Sequence, residues 1–289
     1  MVPQETMKPT SPTYTADLFN PLHDELLLLL RGLAPDDWHR PTIAGDWRVR
    51  DVVAHLLDGD VRKLSVNRDG HLPPQPAKPI ASYGDLVAFL NGFNAEWVTA
   101  ARRLSPRVFI ELLSVTGPLV SELVSSLPPH EPSVFPVGWA GDRESENWFD
   151  IGRDYTERWH HQMQIRDAVG APLLLEERWL FPLLDISFRA LPHAYRDIDA
   201  PVGTAVTINV GEHAWSVVSD EEQWKLCNGA LVASAASVTI DPDSAWRLLY
   251  NALPATAMNS AARMNPSSAS VKPITAERCP PRGISGPAR

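Results

Sequence analysis

Across residues 14–172, stretches with apolar positions every three to four residues alternate with short polar or proline-rich breaks. Leu18, Leu22, Leu26, Leu29, Leu30 and Leu33 mark a first helix that ends at Pro35. A second helix is predicted over 49–68, with Val49, Val52, Val53, Leu56 and Leu57 as its apolar stripe. Residues 71–80 are rich in proline and read as a loop. A third helix is predicted over 83–104, with Leu86, Phe89, Leu90, Phe93 and Trp97 on one side. Residues 106–127 read as further helical material, broken at Gly117-Pro118 because proline removes a helix hydrogen bond. A long loop then leads to a strong helix over 148–169, ended by Gly170 and Pro172. Four long amphipathic helices bury their stripes most simply as an antiparallel bundle.

The pattern then changes. Residues 173–196 read as one more helical stretch, and period-two runs follow at 204–210, 214–218, 224–226 and 235–240. Gly211-Glu212, Asp220-Glu221-Glu222 and Asn228-Gly229 supply turn chemistry between them. Asp241 is placed to cap a helix whose first residue is Pro242. The expected fold class is therefore α plus α+β: a four-helix bundle over 14–172, then a small antiparallel α+β domain over 173–256. The segment 265–289 has no periodicity and is expected to be disordered.

Charge and cysteine content narrow the chemistry. The formal net charge of -9 repels phosphate backbones, so a nucleic-acid partner is not expected. With only Cys227 and Cys279, any metal site must draw on histidines and carboxylates. No apolar leader is visible, and the longest apolar run, Leu26 to Leu30, is too short for a membrane span. The expectation is a cytoplasmic monomer or homodimer without a membrane partner. The 10 tryptophans imply large buried surfaces.

Three residues stand apart as candidate ligands. His55 lies mid-helix beside the apolar stripe, with Gly59 one turn on leaving room near its imidazole. Glu157 and His161 are four apart and share a helix face, which Ile165 continues. A Glu–His pair facing a His on a neighbouring helix makes an N/O/N set that leaves a coordination position open, as in catalytic sites. On spacing alone, His55 could equally be a hydrogen-bonded core histidine and Glu157–His161 an ordinary helix pair. His160 rivals His161, since it is also one turn from Glu157. His23, His39, His71 and His130 read as surface histidines in polar or loop contexts, and His193 and His213 lie near turns without a partner at ligand spacing. Arg153, Arg158 and Arg166 read as a carboxylate clamp or a solvated face, and Cys227 as a buried strand cysteine. The motifs of nucleophile elbows, phosphate loops and dinucleotide folds are absent from the sequence.

The stretch GDWRVRDVVAHLLDGD (45–60) resembles the Trp-x-x-x-Asp-Val-x-x-His-Leu block of the DinB-like, mycothiol-dependent maleylpyruvate isomerase family. ERWHHQMQIRDAVGAP (157–172) is similar to that family's Glu-x-x-x-His block and its Arg-Asp-Ala-x-Gly-x-Pro ending. Gly203-Thr204 at a strand start and the DPDSAWRLL helix (241–249) resemble its sterol-carrier-protein-like C-terminal domain. The resemblance implies a DinB-like four-helix bundle in which His55, Glu157 and His161 bind a divalent metal ion, usually zinc.

It further implies a low-molecular-weight thiol cofactor such as mycothiol, and a small electrophilic substrate that is isomerised or S-conjugated. The rivals are a metal-dependent hydrolase on the same residues, a non-catalytic small-ligand-binding protein, and a bundle that a metal merely stabilises. Beyond residue 265 the chain lacks the family's Gly-Asp element and closing apolar helix. The isomerase's C-terminal substrate-binding residues are therefore not carried over.

Overall fold

Val49, Val52 and Val53 are fully shielded from solvent, and the helix that carries them is the central wall of the helical part. In the computed structural model the described residues are 10–73, 76, 79–231, 234–252 and 262–266. They fall into two compact units, one built from 14–137 and 143–183, the other from 10–13, 138–142, 184–252 and 262–266. The expected disordered tail lies outside the described residues, apart from 265–266.

The first unit contains α1 (Phe19–Gly32), α2 (Val49–Lys63, continued by a wider turn over Leu64–Arg68), α3 (Tyr83–Ala101), α4 (Pro106–Ser126) and α5 (Asn147–Val169). α4 and α5 each pack against both α1 and α2, so these four helices close the bundle. α3 packs against α2, where the apolar pattern predicts a bundle wall. Its buried face is also displaced: Leu90, Asn94, Val98 and Ala101 point inward, leaving Phe93 and Trp97 half-buried beside them. The core gathers Leu26, Leu30, Trp38, Val52, Leu57, Phe109, Leu113 and Ile165, each worth roughly 1.5–3 kcal/mol of burial for the larger side chains.

α4 is continuous where a break at Gly117-Pro118 is expected. Phe109 and Leu113 before the proline, and Val120 and Val124 after it, are all buried. That packing on two neighbouring helices offsets the roughly 3 kcal/mol an interior proline costs. Ser121 also donates its hydroxyl to the Gly117 carbonyl at 3.0 Å. By length and composition α4 would be able to cross a membrane, yet it is a bundle helix here. α5 ends as expected, with Gly170 at φ 69°, the left-handed conformation that glycine adopts without strain.

α6 (Glu177–Phe188) contains the boundary between the units. In the second unit α7 (Leu191–Tyr195) precedes β1 (Ala205–Val210), β2 (His213–Ser219), β3 (Trp224–Asn228) and β4 (Ala236–Ile240), then α8 (Pro242–Leu249) and β5 (Ala262–Pro266). The sheet order is β3-β2-β1-β4-β5. The helical bundle followed by a small α+β unit is the expected class, with one difference in the sheet. β4 pairs parallel to β1 on the side away from β2, which makes the sheet mixed rather than wholly antiparallel. Strand alternation marks which residues are buried but not which edge a later strand joins. Asp241 caps α8 as expected, accepting from the Ser244 amide at 3.0 Å. Cys227 is buried in β3, and burial raises its thiol pKa.

Candidate metal centre

The turn before α2 is built to hold Trp47. Thr42 donates both its amide and its hydroxyl to the Trp47 carbonyl, at 3.0 and 2.7 Å. One turn later, the Asp51 carboxylate accepts the Arg48 amide at 3.1 Å, satisfying a donor at the helix start, and pairs with Arg102 at 3.0 Å. The Trp47 ring lies 5.2 Å from the His55 ring and 6.3 Å from that of His161. It covers both imidazoles.

His55 and His161 meet across the α2–α5 contact with ring centroids 4.6 Å apart. Glu157, one turn before His161, brings its carboxylate to 3.5 Å from His161 Nε2. One potential ligand atom each from His55, Glu157 and His161 lies within 4.8 Å of the others. For tetrahedral zinc with bonds near 2.05 Å, neighbouring ligand atoms are about 3.3 Å apart, so the His161–Glu157 spacing already approximates one edge. His160 borders this group, its ring 4.0 Å from that of His161, but its Nδ1 is engaged 2.8 Å from the Thr156 carbonyl.

Protonation favours the same reading of the donors. His161 Nδ1 lies 2.8 Å from Gln164 Oε1, an acceptor, so Nδ1 donates there and Nε2 is the nitrogen that faces Glu157. Burial, followed by the His161 charge, holds the His55 pKa well below its usual value, keeping that imidazole neutral. Burial alone would raise the Glu157 carboxyl, but His160 and His161 outweigh it and lower the pKa to about 2. His55 Nδ1 is buried without a hydrogen-bond partner. Two imidazoles, an ionised carboxylate and an unsatisfied buried nitrogen on His55 fit a divalent ion.

Sequence spacing alone does not single out Gln164 or Trp47. Gln164 is three residues after His161 on the same face, the spacing at which an orienting partner would be sought. The three arginines of α5 are neither exposed nor free. Arg153 pairs with Asp150 and Asp154, Arg158 with Asp60 at 2.6 Å, and Arg166 with Glu25 at 2.8 Å. The solvated-face reading fails because each one has a carboxylate partner, from α5 itself for Arg153 and from neighbouring helices for Arg158 and Arg166.

His23 differs from its expected surface position as well. It is buried in α1, its ring lying on Gly117 of α4. His39 and His71 are exposed, and exposed His130 contacts Tyr14 and Glu146. His193 lies on Gly141 and His213 opens β2, both in the second unit.

The family model of the mycothiol maleylpyruvate isomerase N-terminal domain matches residues 19–166, a span containing α1 to α5 and all three candidate ligands. The chain belongs to this family. Its fold is also that of solved members. A crystal structure of the mycothiol-dependent maleylpyruvate isomerase superposes with a TM-score of 0.54 at 10% identity, covering 86% of this chain and 90% of that one. A histidine-to-alanine mutant of such an isomerase gives a TM-score of 0.52 at 10% identity, with the same coverage of 86% and 90%. At that identity the likeness establishes the fold. No curated protein matches the chain. The family assignment thus rests on the bundle, which also carries the His–Glu–His group.

Proposed function

We propose that His55, Glu157 and His161 hold a divalent metal ion, zinc by family habit, in a thiol-dependent isomerase or S-transferase. The observation that carries this reading is the convergence of one donor from each residue within 4.8 Å across two facing helices. Membership of the family supports the thiol, a mycothiol-like molecule, and a small electrophilic substrate.

When bound to three protein donors with a position left open, such an ion supplies Lewis acidity that favours a thiolate near neutral pH. The chain's own residues prepare for that. Gln164 fixes the His161 tautomer, burial keeps His55 uncharged, and Glu157 stays ionised. Trp47 lies over both rings and limits water on that side. For a cis alkene, thiol addition, rotation about the resulting single bond and elimination of the same thiol give the trans product with no net reagent consumed. Addition without elimination gives the S-conjugate.

Elemental mass spectrometry of wild type, His55→Ala and His161→Ala tests the site. About one ion per chain in wild type, lost from both variants, is the expected result. An absence of bound ion in wild type after reconstitution overturns the metal reading. With the site metallated, turnover of maleylpyruvate that requires mycothiol is expected, whereas turnover of an ester or amide without thiol would replace this reading by hydrolysis.

A further inference from the structure

Two turns after His55 on α2, and one turn before Glu157 on α5, lie two arginines with unmet hydrogen-bond donors. Arg62 follows His55 by seven residues on α2, and Arg153 precedes Glu157 by four on α5, so each continues the face that carries its candidate ligand. Nε and Nη2 of Arg62 and Nη1 of Arg153 are buried with no aligned acceptor. The Arg153 side chain is only 5% exposed, and that of Arg62 only 19%.

Of the nearby carboxylates, Asp150 and Asp154 are committed to Lys63 and Arg153, and Asp58 pairs with Arg62. Asp150 and Asp154 accept Lys63 at 2.7 and 2.8 Å and bind Arg153 through Nη2. Asp58 Oδ2 is 3.0 Å from Arg62 Nη2, yet neither atom has a geometrically aligned hydrogen-bond partner. The Arg62 guanidinium lies over the Phe93 ring of α3, 5.5 Å from its centroid. Burial, and then the charges of Asp58, Arg153, Asp154 and Glu157, govern the Arg62 proton affinity, which lies below its usual value. Those groups therefore face it from both helices. Two guanidiniums are near neighbours, with Arg62 Nε and Arg153 Nη1 buried and without a partner, and Arg62 Nη2 paired with Asp58 but poorly aligned on it.

We infer that Arg62 and Arg153 form a carboxylate-binding pocket next to the His–Glu–His group, and that it orients an unsaturated carboxylate substrate. A carboxylate can accept several N–H groups from a planar guanidinium fork at once, which a lone lysine does not match. This deepens the proposed function, because the anion held is the electrophile's own. Arg62 is the specificity residue of the pair, since Arg153 is also tied to Asp150 and Asp154.

Isothermal calorimetry with maleate as the probe tests the pocket on the full chain, with metal content and melting temperature measured on every sample. Wild type is expected to bind maleate, Arg62→Gln to bind it at least about tenfold more weakly, and Arg62→Lys to fall between them. Metal content and circular dichroism should be the same in all three. Equal maleate affinity in wild type and a folded Arg62→Gln overturns the proposal, as does a wild type that takes up no maleate at millimolar concentration. Maleate binding that depends on Arg62 in a chain without metal would leave the pocket standing and remove the metal reading instead.

Discussion

Gly117 offers a test of why α4 runs unbroken through a glycine–proline pair. A Cβ at this position would lie 2.1 Å from His23 Nε2 and 2.2 Å from Cε1, inside any allowed contact. The ring belongs to a buried side chain and cannot swing into solvent. Helix propensity alone favours Gly117→Ala by about 1 kcal/mol. Overpacking opposes it by roughly 1–3 kcal/mol, and a Cβ preceding Pro118 in helical conformation adds a further clash. The net expectation is a loss of about 1–2 kcal/mol, seen as a melting temperature lower by about 2–6 °C. Gly59→Ala is the internal control, because a Cβ added there on α2 would meet nothing within 4 Å. It should raise stability by up to about 1 kcal/mol. Urea unfolding followed by far-ultraviolet circular dichroism measures both, and a His23→Ala, Gly117→Ala double mutant isolates the contact. The cycle should show at least about 1 kcal/mol of coupling. A Gly117→Ala protein as stable as wild type, or additive effects in the double mutant, would refute the packing argument.

Acid stability and metal affinity provide two more checks. Burial alone would raise the Asp150 carboxyl, but the charges of Lys63 and Arg153 hold its pKa at about 2. A pKa depressed on folding stabilises the protein above the unfolded value near 3.8, and that stability disappears as pH falls toward 2. Its size is on the order of 2 kcal/mol, so the stability gap between wild type and Asp150→Asn should narrow by about that much from pH 5 to pH 2; a constant gap in urea titrations rejects it. Gln164→Leu leaves all three candidate ligands in place but removes the group that orients His161. Competition with a chelator should show metal held about 10- to 100-fold more weakly, and unchanged affinity would mean that Gln164 does not set the tautomer.

Local periodicity made most of the helices and strands legible, and it aligned Glu157 with His161. It did not reveal contacts between distant positions. His23 looks like a surface histidine beside Leu22 until Gly117 supplies a flat place for its ring. Arg158 and Arg166 of α5 read as a wet face because their carboxylates, Asp60 and Glu25, sit on other helices. The parallel β1–β4 pair was hidden for a similar reason, since alternation within a strand carries no record of its neighbour. Trp47 was visible as part of a sequence block, but its cover over two imidazoles appears only when α2 and α5 meet.

The ion pairs along α5 also act as a vernier. Asp150 and Asp154 engage Lys63 on α2, Arg158 engages Asp60 on the same helix, and Arg166 engages Glu25 on α1. Leucine stripes alone tolerate a slide of one helical turn, about 5.4 Å, because one apolar layer resembles the next. Here such a slide parts every pair together and strands buried charges, which is far costlier than exchanging one methyl contact for another. The bundle thus has one permitted alignment of α5, and it is the alignment that brings Glu157 and His161 opposite His55.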